Sequence, residues 1–222
     1  MLKKIVFDKE FDLILCLDAI LPEADFFYKY KNIPIYAADG AALQLLEMGI
    51  MSDMVVGDLD TLMNDKRAGE FDKERIICIE NQEYNDFEKT LFVAKSKGFA
   101  NILITGFQGG ELEHTLNNWS IFKKYAGELN MCIYDLTRYG FVIDEDVEIA
   151  VSKDEMISIL PQPEIRLTTQ NLKWELQDER LVFGKREGIR NRALSEIIRI
   201  YVSSGSALLF INERMPFCPK KI

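Results

Sequence analysis

The sequence contains a single histidine, His114, and this scarcity excludes several kinds of active site. The usual zinc hydrolase sites need two or three histidine ligands. Acid–base or metal chemistry in this chain must therefore rely on its 36 Asp and Glu residues. Carboxylate oxygens without histidine favour a hard cation such as magnesium.

Two common nucleotide-binding motifs and all paired-cysteine motifs are also absent. Neither G-x-x-x-x-G-K-[ST] nor G-x-G-x-x-G occurs in the 222 residues. The cysteines, Cys16, Cys78, Cys132 and Cys218, form no C-x-x-C pair, which excludes a zinc knuckle or a thioredoxin-like centre. We expect them to be reduced residues of the core.

Long apolar runs and an excess of basic residues are missing too. No uncharged segment approaches the roughly 18 residues that would span a bilayer. The first 17 residues include three acids, unlike a signal peptide. Lys and Arg total 27 against 36 Asp and Glu, a net charge of −9, which argues against nucleic-acid or anionic-membrane partners. We therefore expect a cytoplasmic protein that binds neither nucleic acid nor membrane.

Two regions of the sequence show different patterns. Up to residue 137, short apolar runs alternate with segments of helical periodicity, which is typical of a parallel sheet flanked by helices. From residue 138, short segments rich in β-branched and aromatic residues are separated by glycine and proline, which is typical of a small β-sandwich. The sequence thus predicts a Rossmann-like α/β domain over 1–137 and an all-β domain over 138–222.

The whole acidic excess lies in the first region. Residues 1–137 hold 14 basic and 23 acidic side chains, whereas residues 138–222 hold 13 of each. Solvated helix faces account for most of these acids. However, acids follow four successive predicted strands, at the edge where open α/β sheets bind ligands. We therefore favour one shared acidic site over a set of separate turn and cap residues, which is the alternative.

Asp58 and Asp60 are the strongest pair within this set. A spacing of two along extended chain puts both side chains on one side. Two carboxylates about 4 Å apart repel each other by about 4 kcal/mol at an effective dielectric constant near 20, and a divalent cation would reverse that repulsion. The alternative is two turn acids that point into water.

A glycine-rich segment, residues 106–110, precedes a helix predicted to begin near Thr115. Glycine lets backbone N–H groups approach a phosphate closely, and the start of a helix favours an anion. A plain tight turn explains the glycines equally well. His114 is a candidate helix cap, phosphate contact or packing residue.

Trp174 is the notable aromatic residue of the second region. Strand alternation places Leu172, Trp174 and Leu176 on one face, which favours a core position. An exposed tryptophan would instead stack on a flat or cationic ring, a contact worth about 0.5–2 kcal/mol.

Together and in this order, the motifs resemble those of the thiamine pyrophosphokinase family. A-D-G-A at 38–41 and G-D-L-D-T at 57–61 come first, followed by Q-E-Y-N-D-F-E-K at 82–89, which is similar to D-Q-D-x-T-D-F-x-K. G-G-E-L-E-H at 109–114 is similar to G-G-x-x-D-H. In the second region, I-S-I-L-P at 157–161 and T-T-Q-N-L-K-W at 168–174 resemble S-L-L-P and T-T-x-G-L-K-W. The resemblance spans about residues 37–212.

This resemblance implies an activity and a set of site residues. Family members are homodimers with active sites between subunits, and they transfer the pyrophosphoryl group of ATP to the hydroxyl of thiamine, releasing AMP. By position, the catalytic and Mg²⁺-binding residues are Asp58, Asp60 and Asp86. The ATP-binding residues are Asp39, Gly40, Gly109, Gly110 and His114. The thiamine-binding residues are Gln82, Asn191 and Trp174 of the partner subunit.

The chain departs from the family pattern at several positions. Glutamate replaces aspartate at Glu83 and Glu113, Asn85 replaces a threonine, and Asn171 replaces a glycine, where asparagine tolerates positive φ. Arg190 replaces a serine. Its guanidinium would repel a nearby thiazolium ring, because both are cations. We therefore expect Arg190 to point away from thiamine or to contact pyrophosphate. The departures leave two alternatives: a non-catalytic thiamine- or nucleotide-binding module, or a related Mg-dependent phosphotransferase with a different acceptor.

Overall fold

The computed structural model describes residues 2–222, which divide into two compact units. The α/β unit is Phe11–Leu136, and the β unit combines residues 2–10 with Thr137–Ile222. The predicted division at residue 137 therefore differs from the structure in the first ten residues. Residues Lys3–Glu10 form strand β1, which pairs with strands of the β unit. No helix among the described residues is long and apolar enough to cross a membrane.

The α/β unit is built on six parallel strands. They are β2 (Leu13–Cys16), β3 (Ile35–Ala38), β4 (Met54–Gly57), β5 (Ile76–Cys78), β6 (Asn101–Thr105) and β7 (Asn130–Asp135). All residues of β2, β3 and β6 are buried, as expected for a parallel sheet that is covered on both faces. The strand order in space is β7-β6-β2-β3-β4-β5.

Five α-helices alternate with these strands. They are α1 (Ala24–Lys29), α2 (Ala41–Glu47), α3 (Asp60–Asn64), α4 (Asp86–Ser96) and α5 (Leu112–Tyr125), with short 3-10 helices at Lys66–Glu70 and Lys73–Arg75. Each α-helix buries at least one apolar side chain, so packing of an apolar face stabilises even the short ones. The longest, α5, begins three residues before the predicted Thr115.

The strand order creates a topological switch point. From β2 the chain continues through β3, β4 and β5 on one side, and it then returns to place β6 and β7 on the other side of β2. The loops after β2 and β6 therefore leave the sheet in opposite directions. Open α/β sheets bind ligands in the crevice at the carboxyl ends of such strands.

The β unit is organised around two long strands. Its strands after β1 are β8 (Arg138–Ile143), β9 (Val147–Ala150), β10 (Met156–Gln170), β11 (Glu179–Val182), β12 (Gly188–Arg192), β13 (Ile197–Asn212) and β14 (Phe217–Lys221). Its pairings are antiparallel except for that of β1 with β9, which is parallel. β10 and β13 pair along nearly their whole length. The second half of β13 also pairs with β8, whereas its first half pairs with β9, which continues through β1 to β14. The predicted fold class, α/β plus a β-sandwich, is confirmed.

Two local expectations for the β unit are wrong. The long strands β10 and β13 continue through Pro161 and Gly205, where breaks were predicted, and register shifts absorb these residues. Residues 172–176 form no strand, because Asn171 adopts a left-handed φ of 67° and turns the chain. Trp174 therefore does not share the buried environment of Leu172 and Leu176.

The β unit contains one fully buried carboxylate, Glu155, which follows β9. Its Oε2 accepts a hydrogen bond from the Ser152 amide (2.8 Å), and its Oε1 accepts one from the Asn212 amide (2.8 Å). Arg214 Nη2 donates to both oxygens, at 3.0 and 2.8 Å. These bonds join the turn before β10 to the end of β13.

Candidate active site

A cleft of about 620 Å³ lies in the α/β unit where several strands end. Residues that follow β2, β3, β4 and β6 line it, together with residues of α4 and α5. Its walls carry seven carboxylates but a single lysine, Lys89. The carboxylates are Asp18, Asp39, Asp58, Asp60, Glu83, Asp86 and Glu88.

Asp39 connects the end of β3 to the start of α3. It is 3% exposed and adopts a left-handed φ of 36°, a conformation that aspartate tolerates better than most residues. Its Oδ2 accepts from the Thr61 amide (3.0 Å) and its Oδ1 from the Leu62 amide (3.1 Å). Burial raises the pKa of Asp39, although these hydrogen bonds act in the opposite direction. Asp39 thus fixes the loop that carries Asp58 and Asp60.

Asp39, Asp58 and Asp60 form a cluster of three carboxylates that could hold a metal ion. Oxygens from the three side chains lie within 4.8 Å of one another. Oxygens that bind one Mg²⁺ at about 2.0–2.1 Å are roughly 3–4 Å apart, so small side-chain movements would complete such a site. The structure groups Asp39, rather than Asp86, with the Asp58–Asp60 pair.

Asp86, in the first turn of α4, is instead bound by Lys89. The Lys89 side chain is 1% exposed, and its Nζ donates to Asp86 Oδ1 (2.9 Å) and Asp58 Oδ2 (3.1 Å). The Asp58 amide also donates to Asp86 Oδ1 at 3.3 Å. The absence of a side chain at Gly57 permits this approach, since a Cβ there would lie 3.1 Å from Asp86 Oδ1.

The titration behaviour of these groups follows from the same contacts. The hydrogen bond from Gln82 is the largest cause of a lowered pKa at Asp58, with Lys89 acting in the same direction. Partial burial raises the pKa of Asp86 despite Lys89. Burial alone would lower the pKa of Lys89, but its two carboxylate partners outweigh burial and raise it. Lys89 is therefore an ammonium ion at neutral pH.

Sequence reasoning missed Lys89 and Asp18 as cleft residues. The spacing of three between Asp86 and Lys89, which puts them on one helix face, was a usable signal. Asp18 follows β2, and its Oδ1 accepts from Gln44 Nε2 at 2.6 Å. A Cβ at Gly40 would collide with the Asp18 carboxylate, so this close approach requires glycine at position 40.

The glycine-rich segment after β6 also borders the cleft. Gly106, Gly109 and Gly110 have φ of 65°, 111° and 72°, which explains why three glycines are needed. A Cβ at Gly109 would collide with Ile20. His114 lies exposed in the first turn of α5 and lines the cleft, with its Nε2 3.3 Å from Glu111 Oε2. It therefore neither packs in the core nor caps the helix.

In the β unit, Trp174 is 58% exposed, and the core position favoured for it is wrong. Its backbone is held by the buried side chain of Asn191. Asn191 Oδ1 accepts from the Trp174 amide (3.1 Å), and Nδ2 donates to the Trp174 carbonyl (2.7 Å). Lys173 Nζ lies 4.8 Å from the indole centroid. Trp174 and Asn191 line a cavity of about 180 Å³.

Gln82, the third predicted thiamine contact, lies in the α/β unit. It donates from Nε2 to Asp58 Oδ2 at 2.9 Å, and it lines the cleft. The structure thus places Gln82 among the carboxylates, where it orients Asp58.

The departures from the family pattern have different local roles. Asn85 caps α4, because its Oδ1 accepts from the Glu88 amide at 3.0 Å. Glu83 is exposed and lines the cleft, and nothing in the structure explains Glu113. Arg190 is exposed with φ 59°, and its amide donates to Ser158 Oγ at 3.0 Å.

Comparison with known families gives two matches along the chain. A model described as "Thiamin pyrophosphokinase, catalytic domain" matches residues 27–133, which contain six of the seven cleft carboxylates. A model described as "Thiamin pyrophosphokinase, vitamin B1 binding domain" matches residues 142–209, which contain Trp174 and Asn191. No curated protein sequence matches the chain significantly.

Solved structures show the same fold at low sequence identity. The thiamine pyrophosphokinase from Bacillus subtilis shares 18% identity over 91% of this chain and 100% of its own, with a TM-score of 0.75. The Candida albicans enzyme shares 14% over 96% and 99%, with a TM-score of 0.76. The yeast enzyme shares 17% over 92% and 87%, also with a TM-score of 0.76. These similarities establish the fold, and the family models establish the relationship.

Proposed function

Because the chain belongs to the thiamin pyrophosphokinase family, we propose that its α/β unit binds ATP with Mg²⁺ and that its β unit binds thiamine. The family consists of transferases that convert thiamine to thiamine diphosphate with ATP. The observation that supports this assignment of ATP and Mg²⁺ to the α/β unit is the cluster of three carboxylates in the cleft. Asp39 meets the Asp58–Asp60 pair there, within the catalytic-domain match.

The reaction joins the hydroxyl oxygen of thiamine to the β-phosphorus of ATP. The bond between that phosphorus and the oxygen bridging it to the α-phosphorus breaks, and AMP leaves with that oxygen. The hydroxyl proton passes to a base. Catalysis of this kind depends chiefly on positioning and on stabilising negative charge at phosphate oxygens.

Asp39, Asp58 and Asp60 would hold the magnesium ion in this scheme. Their all-oxygen donor set suits a hard cation, and ATP-dependent transfer generally involves a divalent metal. When bound, Mg²⁺ would neutralise phosphate charge and orient the nucleotide. Asp39 contributes in a second way, since its hydrogen bonds to the start of α3 keep the other two carboxylates in place.

Asp86 is the best-placed acceptor for the thiamine proton. Its Oδ1 is used by Lys89 and the Asp58 amide, whereas Oδ2 accepts no hydrogen bond among the described residues. Partial burial raises the pKa of Asp86, which strengthens it as a base. Both features support a role in orienting and deprotonating the hydroxyl, in place of the metal-binding role that the resemblance implies.

ATP would enter an acidic cleft, so its phosphates need donors near the switch point. Backbone N–H groups at Gly109 and Gly110 are suitable donors, because these glycines have no side chains to block approach. His114, exposed at the same edge, would donate a hydrogen bond to a phosphate. Gly40 contributes by giving space to Asp18, beside Asp39.

Thiamine carries a cationic thiazolium ring, and an exposed indole is a suitable partner for it. We assign this role to Trp174, held by Asn191, with Gln82 contributing from the cleft. We further propose a homodimer in which Trp174 of the partner subunit completes each site. A cytoplasmic location fits the four cysteine thiols, which a reducing compartment preserves.

The test is turnover of thiamine with Mg-ATP, with products separated by chromatography. We expect thiamine diphosphate and AMP in equal amounts. ADP with thiamine monophosphate, or an absence of product from folded protein, would contradict the proposal. A parallel series with other primary alcohols separates this function from phosphotransfer to a different acceptor.

A further inference from the structure

We propose that Lys89 is a positioning residue that serves as a permanent cation of the cleft, so that the site operates with one protein-bound divalent ion instead of two. Lys89 acts through Asp58 and Asp86, which it holds together. The catalytic part of this inference rests on the proposed function, whereas the ion count does not depend on turnover.

The burial of Lys89 is the first step of the argument. Its side chain is 1% exposed, although lysine is almost never fully buried unless it is paired. A buried ammonium ion is costly in free energy, and its partners must compensate for the lost hydration. Asp58 and Asp86 supply this compensation, at 3.1 and 2.9 Å.

The geometry around the ammonium ion resembles a cation bridge. One oxygen from each carboxylate faces Nζ, and the Asp58 amide reinforces the arrangement through Asp86 Oδ1. Gly57 leaves the space that this arrangement needs. Without the lysine, two carboxylates would face each other across a gap where a second metal ion could bind.

Asp58 is shared between Lys89 and the predicted metal site. Its Oδ2 accepts from both Lys89 and Gln82, and its Oδ1 lies 3.5 Å from the Asp60 amide. The side chain of Asp58 is therefore fixed before any cation arrives. Lys89 thus sets the orientation of one metal-binding carboxylate and of the proposed base.

Charge balance supports a built-in cation. Seven carboxylates line the cleft, and Lys89 is the only lysine among the described residues that line it. A polyanionic nucleotide needs cations in such a cleft. A covalently attached ammonium ion supplies one of them permanently, and it cannot be lost when product leaves.

The first experiment counts Mn²⁺ ions on the nucleotide-free protein by electron paramagnetic resonance. We expect one tightly bound ion per chain for the wild-type protein and two for Lys89→Met, which keeps the side-chain length but removes the charge. The matched control is Lys95→Met, on the same helix, whose ammonium pairs with Glu128 at an exposed position. It should bind one ion. Two ions on the wild-type protein, or one on folded Lys89→Met, would overturn the proposal.

The second experiment separates positioning from folding. Lys89→Met should lower kcat by about 10- to 100-fold, as loss of a partner of metal ligands typically does, with an unchanged KM for thiamine. In Lys89→Ala, propylammonium should restore activity, because it replaces the four deleted heavy atoms and the charge, whereas 1-propanol should not. Equal rescue by both compounds, or wild-type kcat without any addition, contradicts the proposal. If the wild-type protein lacks turnover, the proposed function fails, and the ion count still tests Lys89.

Discussion

Both units bury charged side chains, but they use them differently. Among the described residues, the α/β unit buries Asp39, Glu88 and Lys89, and all three line the cleft. The β unit buries only Glu155, whose two oxygens receive four hydrogen-bond contacts from Ser152, Asn212 and Arg214. Glu155 is satisfied by its own unit. Lys89 is paired with two carboxylates of its own unit, and it also lines the cleft. A buried charge that lines a cleft is therefore a better sign of function than a buried charge elsewhere.

The largest effect that we expect is a loss of stability when the buried carboxylate of Glu155 is removed. Glu155→Ala leaves Arg214 Nη2 and two amides without this acceptor, and loss of one partner of a buried pair costs about 3–5 kcal/mol. Urea denaturation should therefore show a greatly reduced free energy of unfolding. Glu145→Ala, at an exposed pair with Lys221, should cost less than about 1 kcal/mol. Equal losses in the two variants would remove the contrast between the units.

The second effect is on activity rather than stability. Asp58→Asn weakens the metal site and removes one partner of Lys89, so kcat should fall at least about 100-fold, since partners one step further from a metal already give 10- to 100-fold losses. The melting temperature should change little, because Asp86 still pairs with Lys89 and the substituted amide keeps an oxygen that can accept from Lys89 Nζ. The control is Asp72→Asn, an exposed acid outside the cleft, which should keep full activity. Full activity of Asp58→Asn would disprove the metal assignment.

The third effect concerns thiamine affinity in the β unit. Trp174→Ala should raise the KM for thiamine by about 2- to 30-fold, equivalent to the loss of about 0.5–2 kcal/mol of stacking energy, while the KM for ATP stays constant. Phe183 is equally exposed in the same unit, so Phe183→Ala is a matched control. A similar rise in both variants, measured by initial rates, would argue against a specific role for Trp174.

The smallest perturbation is chemical labelling of cysteine. Cys78, in the α/β unit, is exposed, whereas Cys16, Cys132 and Cys218 are buried. Burial raises the pKa of Cys16 to about 12, so almost none of it is thiolate at pH 8. We expect one thiol per native chain to react with iodoacetamide, and mass spectrometry should locate it at Cys78. Labelling of Cys218 in the native protein would show that the β unit opens more readily than its packing indicates.

Much of the α/β unit could be predicted from the sequence, because local signals agree with the fold there. Its apolar runs are buried strands that end at polar residues, and helix α4 begins directly after Asn85, a residue type that caps helices well. The acidic residues converge because the carboxyl ends of parallel strands meet at one edge. Lys89 was harder to predict, since lysine rarely lies in a core and its partners come from different strand ends.

The β unit was less predictable, because its pairings connect distant parts of the sequence. Strand β1 contains five charged residues in eight, so it does not resemble a strand locally. It is nevertheless paired on both sides, with β9 and β14, more than 130 residues away. Trp174 was placed in the core because the alternation rule assumes an extended strand, and the turn at Asn171 removes that assumption.

The pairing of β1 also has a consequence for biosynthesis. Strand β1 is synthesised before the α/β segment, but its partners β9 and β14 are synthesised only after that segment. The continuous α/β segment, Phe11–Leu136, can fold while the β unit still lacks most of its strands. An expression fragment that starts at residue 138 would lack the strand between β9 and β14. A fragment designed to study the β unit alone should therefore include β1 together with residues 137–222.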